Sequence, residues 1–211
     1  MHAIVIHGMG RTPLSMCLLA MRLRLAGICP HLFGYSATLE GWDRCTGRLA
    51  RFIERHAGQD DYIVVGHSLG TVLARAVLSG LRRPPNACFL LAPPVVACLA
   101  ARKFSSYRLY QWLTGEMGQL LAKQEFMETL PRPGIATKIY AGTGGATGPH
   151  LPFGEQPNDG ILALHETLLP QTPVLPVPSI HTFIMNNRAV AQDIVKQAGY
   201  STERSMRRVQ I

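Results

Sequence analysis

Ser68 stands between two glycines in Gly66-His67-Ser68-Leu69-Gly70. An apolar run, Tyr62-Ile63-Val64-Val65, leads into it, and a segment with Val72, Leu73, Ala76 and Val77 on one helical face leads out. Strand, sharp turn and helix in the pattern G-x-S-x-G thrust a serine hydroxyl out at the end of a strand. So tight a turn crowds the residues flanking the serine, and the missing Cβ atoms of Gly66 and Gly70 relieve that crowding. The backbone of Ser68 itself is expected to be strained. A serine hydroxyl is a poor nucleophile near neutral pH and needs an adjacent base, oriented in turn by a third group. His165 and His181 are the late candidates for the base; Glu155, Asp159 and Glu166 are those for the third group. Such a set does nucleophilic chemistry at a carbonyl carbon. The plainer reading of the turn is a glycine-bounded corner without chemistry.

The elements that must position these residues alternate. Ala3-Ile4-Val5-Ile6 reads as a buried strand and His7-Gly8-Met9-Gly10 as a turn. Thr12-Pro13 reads as an N-cap and first-turn proline. Leu14, Leu18, Met21 and Leu25 fall on one helical stripe that Gly27 ends. A second strand is expected at His31–Tyr35 and a helix from Trp42 to about His56, although Gly47 interrupts it. After the nucleophile strand and its helix, Arg82-Arg83-Pro84-Pro85-Asn86 is a stop. Strands follow at Ala87–Leu91, Thr137–Ala141 and Val174–Ile180, the last marked as an edge by Pro176 and Pro178. Residues 95–134 look helical in two pieces, around Tyr107–Leu113 and Met117–Leu130. They read either as a helical cap over the site or as packed crossover helices. Gly142–Asn158 is a long glycine- and proline-rich loop, a length that is usually functional. Arg188–Ala198 closes as a helix, and the tail after Gly199 is expected to be loose. Alternation from end to end predicts an α/β fold of about six parallel strands with helices on both faces. Residues 1–211 show no repeat and no domain boundary, so one domain is expected.

Composition narrows the classes. Hydrophobic residues make up 47% of 211, which suits a globular chain with a sizeable core. The longest apolar run, Phe89 to Ala101, is too short to span a membrane and holds Pro93-Pro94. Met1-His2-Ala3 leads into a strand pattern without the basic start of a signal peptide, so a cytoplasmic location is the expectation. The five cysteines are odd in number, scattered and without C-x-x-C, and read as reduced, small apolar residues. The eight histidines show no metal-ligand spacing, so neither metal nor cofactor is expected. The formal charge is +8 and the pI about 9.6. The cations are spread along the chain apart from the tail Arg204-Ser205-Met206-Arg207-Arg208, and no aromatic-interleaved basic patch points to nucleic acid. Peripheral contact with an anionic membrane surface is the one lipid-facing alternative.

The motifs together resemble the small α/β-hydrolases of the bacterial lipase and esterase kind. They also resemble the lipase-like domains related to the enzyme that removes acyl groups from GPI inositol. The resemblance covers Ala3 to about Ala198. It implies a strand order 2-1-3-4-5-6, with the nucleophile, acid and histidine met in that order along the chain. It therefore points to Ser68, then Asp159 in Asn158-Asp159-Gly160, then His181, the only histidine after the last strand. It implies an oxyanion hole from the Leu69 N–H and from the His7-Gly8-Met9-Gly10 loop, which is similar to the family's H-G-x-G and points to the Met9 N–H. His7 and Gly8 would support that loop. His67 would pack beside Ser68 rather than react, and Arg11 would meet either solvent or an anionic substrate group. Two departures stand out: Thr71 where the family often has glycine, and Ala92-Pro93-Pro94-Val95-Val96 where relatives often carry an Asn- and Ser-containing turn. The implied activity is hydrolysis of carboxylic esters of small molecules or lipids through an acyl-serine. A thioesterase or acyltransferase with the same triad, and a non-catalytic binding protein on a hydrolase fold, are the rivals.

Overall fold

The apolar runs become strands because the sheet they form is covered on both faces, which is what a parallel sheet requires. The computed structural model describes residues 1–99 and 107–209. Its six strands are β1 (His2–Ile6), β2 (Cys29–Phe33), β3 (Tyr62–His67), β4 (Ala87–Leu91), β5 (Thr137–Gly142) and β6 (Val174–Val177). All pair in parallel, in the order β2-β1-β3-β4-β5-β6. The helices are α1 (Cys17–Leu25), α2 (Trp42–Ala57), α3 (Leu69–Leu78), α4 (Arg108–Leu120), α5 (Gln124–Thr129) and α6 (Arg188–Val209).

Strand alternation sorts the core into two layers. Ile4, Ile6, Tyr62, Val64, Cys88 and Leu90 face α2, α3 and the Met117–Leu130 region. Ala3, Val5, Ile63, Val65, Phe89 and Leu91 face α1 and α6. Burial pushes the Cys45 and Cys88 thiols up to about 12, so both behave as small apolar groups. No disulfide joins any of the five cysteines. Among the described residues no helix is long and apolar enough to cross a membrane. The chain leaves β1 toward one edge of the sheet and returns to β3 on β1's other side. Loops at the carboxyl ends of β1 and β3 diverge there and leave a crevice, the place where open α/β sheets bind ligands.

Several boundaries differ from the sequence reading. β2 begins at Cys29 and ends at Phe33, because its register with β1 sets Cys29 opposite His2. Tyr35 leaves the sheet and stacks its ring on His7. The α1 stripe is reversed. Leu14 and Leu25 are 77% and 81% exposed, and Leu18 and Met21 also face outward, while Met16, Leu19, Ala20 and Leu23 fill the core. A 3-10 turn over Pro13–Met16 precedes the α-helix, so the phase slips there, and a helix apolar on two sides offered both stripes. Thr12 makes no side-chain cap; its carbonyl accepts the Ser15 N–H instead. β6 stops at Val177, before Pro178, which has no N–H to pair. The helix expected to end at Ala198 runs on to Val209, since Gly199 costs only about 1 kcal/mol and no proline follows.

Between residues 107 and 134 the chain folds as α4 and α5, with α4 broken at Gly115 by φ +56°. Met117, Leu121, Met127 and Leu130 pack into the main core. Of the segment at residues 95–134, residues 100–106 lie outside the described residues.

Candidate active site

The turn after β3 is built as its residue types require. Ser68 has φ +51° and ψ −121°, a conformation costly for a side chain with a Cβ, and it is held from both sides. Its N–H donates to the Leu91 carbonyl at 2.9 Å. Its own carbonyl accepts the Thr71 N–H at 2.9 Å and the Thr71 hydroxyl at 2.6 Å. Thr71, noted in the sequence as a departure from a frequent glycine, thus adds a side-chain bond to the strained corner. A Cβ on Gly66 would come within 2.8 Å of the Gly70 backbone, and one on Gly70 within 2.5 Å of the Ile6 and His7 carbonyl oxygens. The two glycines therefore let α3 start directly against β1 and β3.

Three side chains distant in sequence meet at this corner. His181, at the start of a 3-10 turn after β6, lies with Nε2 2.9 Å from Ser68 Oγ and Nδ1 2.7 Å from Asp159 Oδ2. A carboxylate only accepts, so Nδ1 carries the proton and Nε2 offers its lone pair to the serine hydroxyl. Asp159 is 1% exposed. Its Oδ1 accepts the N–H groups of Ile161 at 2.9 Å and Leu162 at 2.7 Å, which leaves Oδ2 for His181. One oxygen of Asp159 thus closes the Asn158-Asp159-Gly160 turn and the other meets the His181 ring. The backbone repeats the tie, with His181 N–H donating to the Asp159 carbonyl at 2.8 Å. Asn158 fixes the loop by bonds to the Ala146 and Gln156 carbonyls and to the Gly160 N–H. The rivals stand elsewhere. Glu155 and His165 are exposed, and buried Glu166 spends its carboxylate on the Leu99 and Ala163 N–H groups.

The loop after β1 faces Ser68. His7 donates from Nδ1 to the Gly8 carbonyl at 2.8 Å, and the Tyr35 N–H approaches its Nε2 at 3.4 Å. The Tyr35 hydroxyl donates to the His7 carbonyl at 3.0 Å. Burial lowers the His7 pKa, in keeping with a neutral ring that braces the loop. A Cβ on Gly8 would meet His67 Nδ1 at 2.8 Å, so this glycine makes room for the imidazole beside the serine. His67 donates from Nε2 to the His181 carbonyl at 3.0 Å. Burial first, then neighbouring His181, hold the His67 pKa well below its ordinary value. His67 is thus a neutral strut under the His181 backbone. Among the described residues, the Met9 and Leu69 N–H groups are not taken by another backbone carbonyl.

A cavity of about 760 Å³ opens over Ser68, His67 and His181. Met9, Pro94, Cys98, Leu121, Ile161 and Leu162 give it apolar walls, while Arg11, Thr12, Ser15 and Thr182 supply polar groups. Sequence reasoning left the wall open. Pro94 comes from the departing turn after β4, where buried Ala92 sits at φ +46°, and Leu121 and Thr114 come from the segment read as either a cap or packed crossover helices. Only the unusual Ala-Pro-Pro run hinted at the first of these.

The sequence model of the alpha/beta hydrolase family matches residues 3–199. No curated protein matches the chain. Among solved structures, the Bacillus licheniformis lipase BlEst2 is 15% identical, with a TM-score of 0.69 over 93% of this chain and 91% of that one. The metagenome-derived lipolytic enzymes LipS and LipT are represented at 12% identity, TM-score 0.68, covering 94% and 93%. The metagenomic carboxyl esterase MGS0156 is 15% identical, TM-score 0.67, covering 96% of this chain and 75% of that one. At such identities these likenesses concern the fold. The family match spans nearly the whole chain and agrees with the strand order, and the chain belongs to the alpha/beta hydrolase family.

Proposed function

We propose that this protein is a serine esterase that cleaves carboxylic esters with an apolar acyl group through an acyl-Ser68 intermediate. The observation that carries the reading is the continuous chain of short contacts from Ser68 Oγ through His181 to Asp159. In the first half-reaction Ser68 Oγ attacks the ester carbonyl while His181 Nε2 takes the hydroxyl proton. Asp159 stabilises the imidazolium through Nδ1–H. The Met9 and Leu69 N–H groups receive the negative charge that develops on the carbonyl oxygen. The imidazolium then returns the proton to the departing alcohol. Water repeats the sequence in reverse and frees the acid. His7 and His67 act as positioning residues, one for the Met9 loop and one for the His181 backbone.

The mostly apolar walls suit an acyl chain, and the cavity volume suits a ligand of a few hundred daltons. Arg11 on the same wall favours substrates that carry a negative group, which keeps acyl thioesters of anionic carriers as a second substrate class for the same machinery. A fluorophosphonate probe should label the wild type and leave Ser68→Ala unlabelled; equal labelling of both would sink the proposal. A panel of p-nitrophenyl esters against acyl-CoA thioesters then separates the two substrate classes.

A further inference from the structure

A second group of chemistry-bearing side chains lies at the amino ends of the strands, away from Ser68. The β1–β2 register sets His2 opposite Cys29. His31 lies two residues along β2 and so projects from the same face as Cys29. One donor atom from each of His2, Cys29 and His31 lies within 4.8 Å of the other two, and among the described residues this is the one such group of three. His2 Nδ1 and His31 Nε2 are 2.9 Å apart. At that distance one nitrogen holds a proton and the other points a lone pair at it. On the far side of His2, Nε2 lies 3.0 Å from Asp60 Oδ2. The His56 ring leans on His31 with centroids 4.4 Å apart, and Phe52 backs His56.

We propose that His2, Cys29 and His31 form a three-ligand site for a divalent transition ion of borderline softness, zinc being the best fit to two imidazoles and a thiolate. Tetrahedral zinc with bonds of about 2.0–2.1 Å holds its nitrogen ligands about 3.4 Å apart. The two imidazole nitrogens need to part by only about 0.5 Å, and the ion takes the place of the proton they share. On binding the thiol proton passes to solvent, and the shared proton leaves His31 Nε2 while His31 Nδ1 takes one up from solvent, so both rings ligate as neutral imidazoles. Asp60 accepts from His2 Nε2–H, the outer carboxylate that commonly fixes a ligating imidazole. The C-terminus of α2 ends beside the group at Ala57 and contributes a negative dipole end, against the fixed positive charge of Arg24 nearby. The fourth position is left to water or a small ligand. Because the site joins edge strand β2 to β1 and to the loop holding Asp60, its occupant ties down the exposed edge of the sheet and does not touch the reaction at Ser68.

The test uses the reduced 211-residue chain with cobalt and zinc chlorides alone. One equivalent of cobalt should give a thiolate-to-cobalt charge-transfer band that zinc abolishes. Cys29→Ser should lose the band, and His31→Gln should weaken binding at least about tenfold. With wild type alone, zinc should slow alkylation of Cys29 at least about tenfold and leave exposed Cys17 unchanged, a readout independent of how the variants fold. No stoichiometric cobalt binding by wild type, retention of the band in Cys29→Ser, or equal protection of Cys17 would each overturn the proposal.

Discussion

The two ends of β1 carry similar side chains and hold them in opposite ways. At the carboxyl end, histidine and carboxylate are locked by backbone. Asp159 accepts two loop N–H groups before it meets His181, and His181 donates its own N–H back to Asp159. At the amino end, the His2 and His31 rings bond to each other and His2 to the Asp60 side chain, on a half-open surface. The first arrangement leaves nothing to reorganise when charge develops, which is what electrostatic catalysis needs. The second has a proton shared between two rings and another on an exposed thiol, both of which an incoming cation can displace. Loops confer rigidity at one rim of the sheet; strand register alone gathers donors at the other.

Substitutions at each rim put that contrast to the test. If the carboxyl rim holds the reacting groups, Ser68→Ala should lower kcat by on the order of 10⁶-fold and Asp159→Asn by on the order of 10⁴-fold, measured on the best p-nitrophenyl ester. A loss of only tenfold in both would move the reaction elsewhere. Gly70→Ala tests how tightly that rim is packed. Its Cβ would press on the Ile6 and His7 carbonyls at 2.5 Å, so the urea midpoint should fall by an amount worth about 1–3 kcal/mol at unchanged m. Thr71→Val, which removes the 2.6 Å bond to the Ser68 carbonyl, should cost about 1 kcal/mol by the same measurement.

Acid should weaken the same rim. Burial holds His7 and His67 below the ordinary histidine value of 6.5 in the folded protein. Below about pH 6.5 the unfolded chain therefore binds more protons than the native one, so this stability is complete above that pH and is lost as pH falls toward the folded values. The thermal midpoint should drop on acidification, and His67→Asn should drop less steeply; an identical slope would exclude His67 as a contributor. At the opposite rim, His2→Gln should leave kcat/KM for esters within about twofold of wild type, since surface changes away from the machinery seldom matter more.

Much of the carboxyl rim was legible because its signals are local. The G-x-S-x-G corner needs its two glycines next to the serine, and Asn158-Asp159-Gly160 announces a turn whichever role the aspartate has. The apolar runs of β3 and β4 could only be buried strands. The α1 stripe misled because Leu14, Leu18, Met21 and Leu25 share the helical spacing of the residues that are truly buried. Periodicity reports that a helix has an apolar face; it does not report which of two faces meets the sheet. Glu166 and Tyr35 gave no signal, since their bonds run to backbone groups in distant segments.

The sequence by itself determined the alternation of strands and helices and the glycine-bounded corner at Ser68, because each rests on neighbours within a few residues. Only the tertiary structure decided which wall faces Ser68, since Pro94 and Leu121 come from distant parts of the β4–β5 connection and Ile161 from the β5–β6 connection. The same holds for the amino rim. Cys29 and His31 alternate on one strand, but His2 joins them through a β1–β2 ladder that pairs residues 27 positions apart, and no spacing along the chain encodes that register.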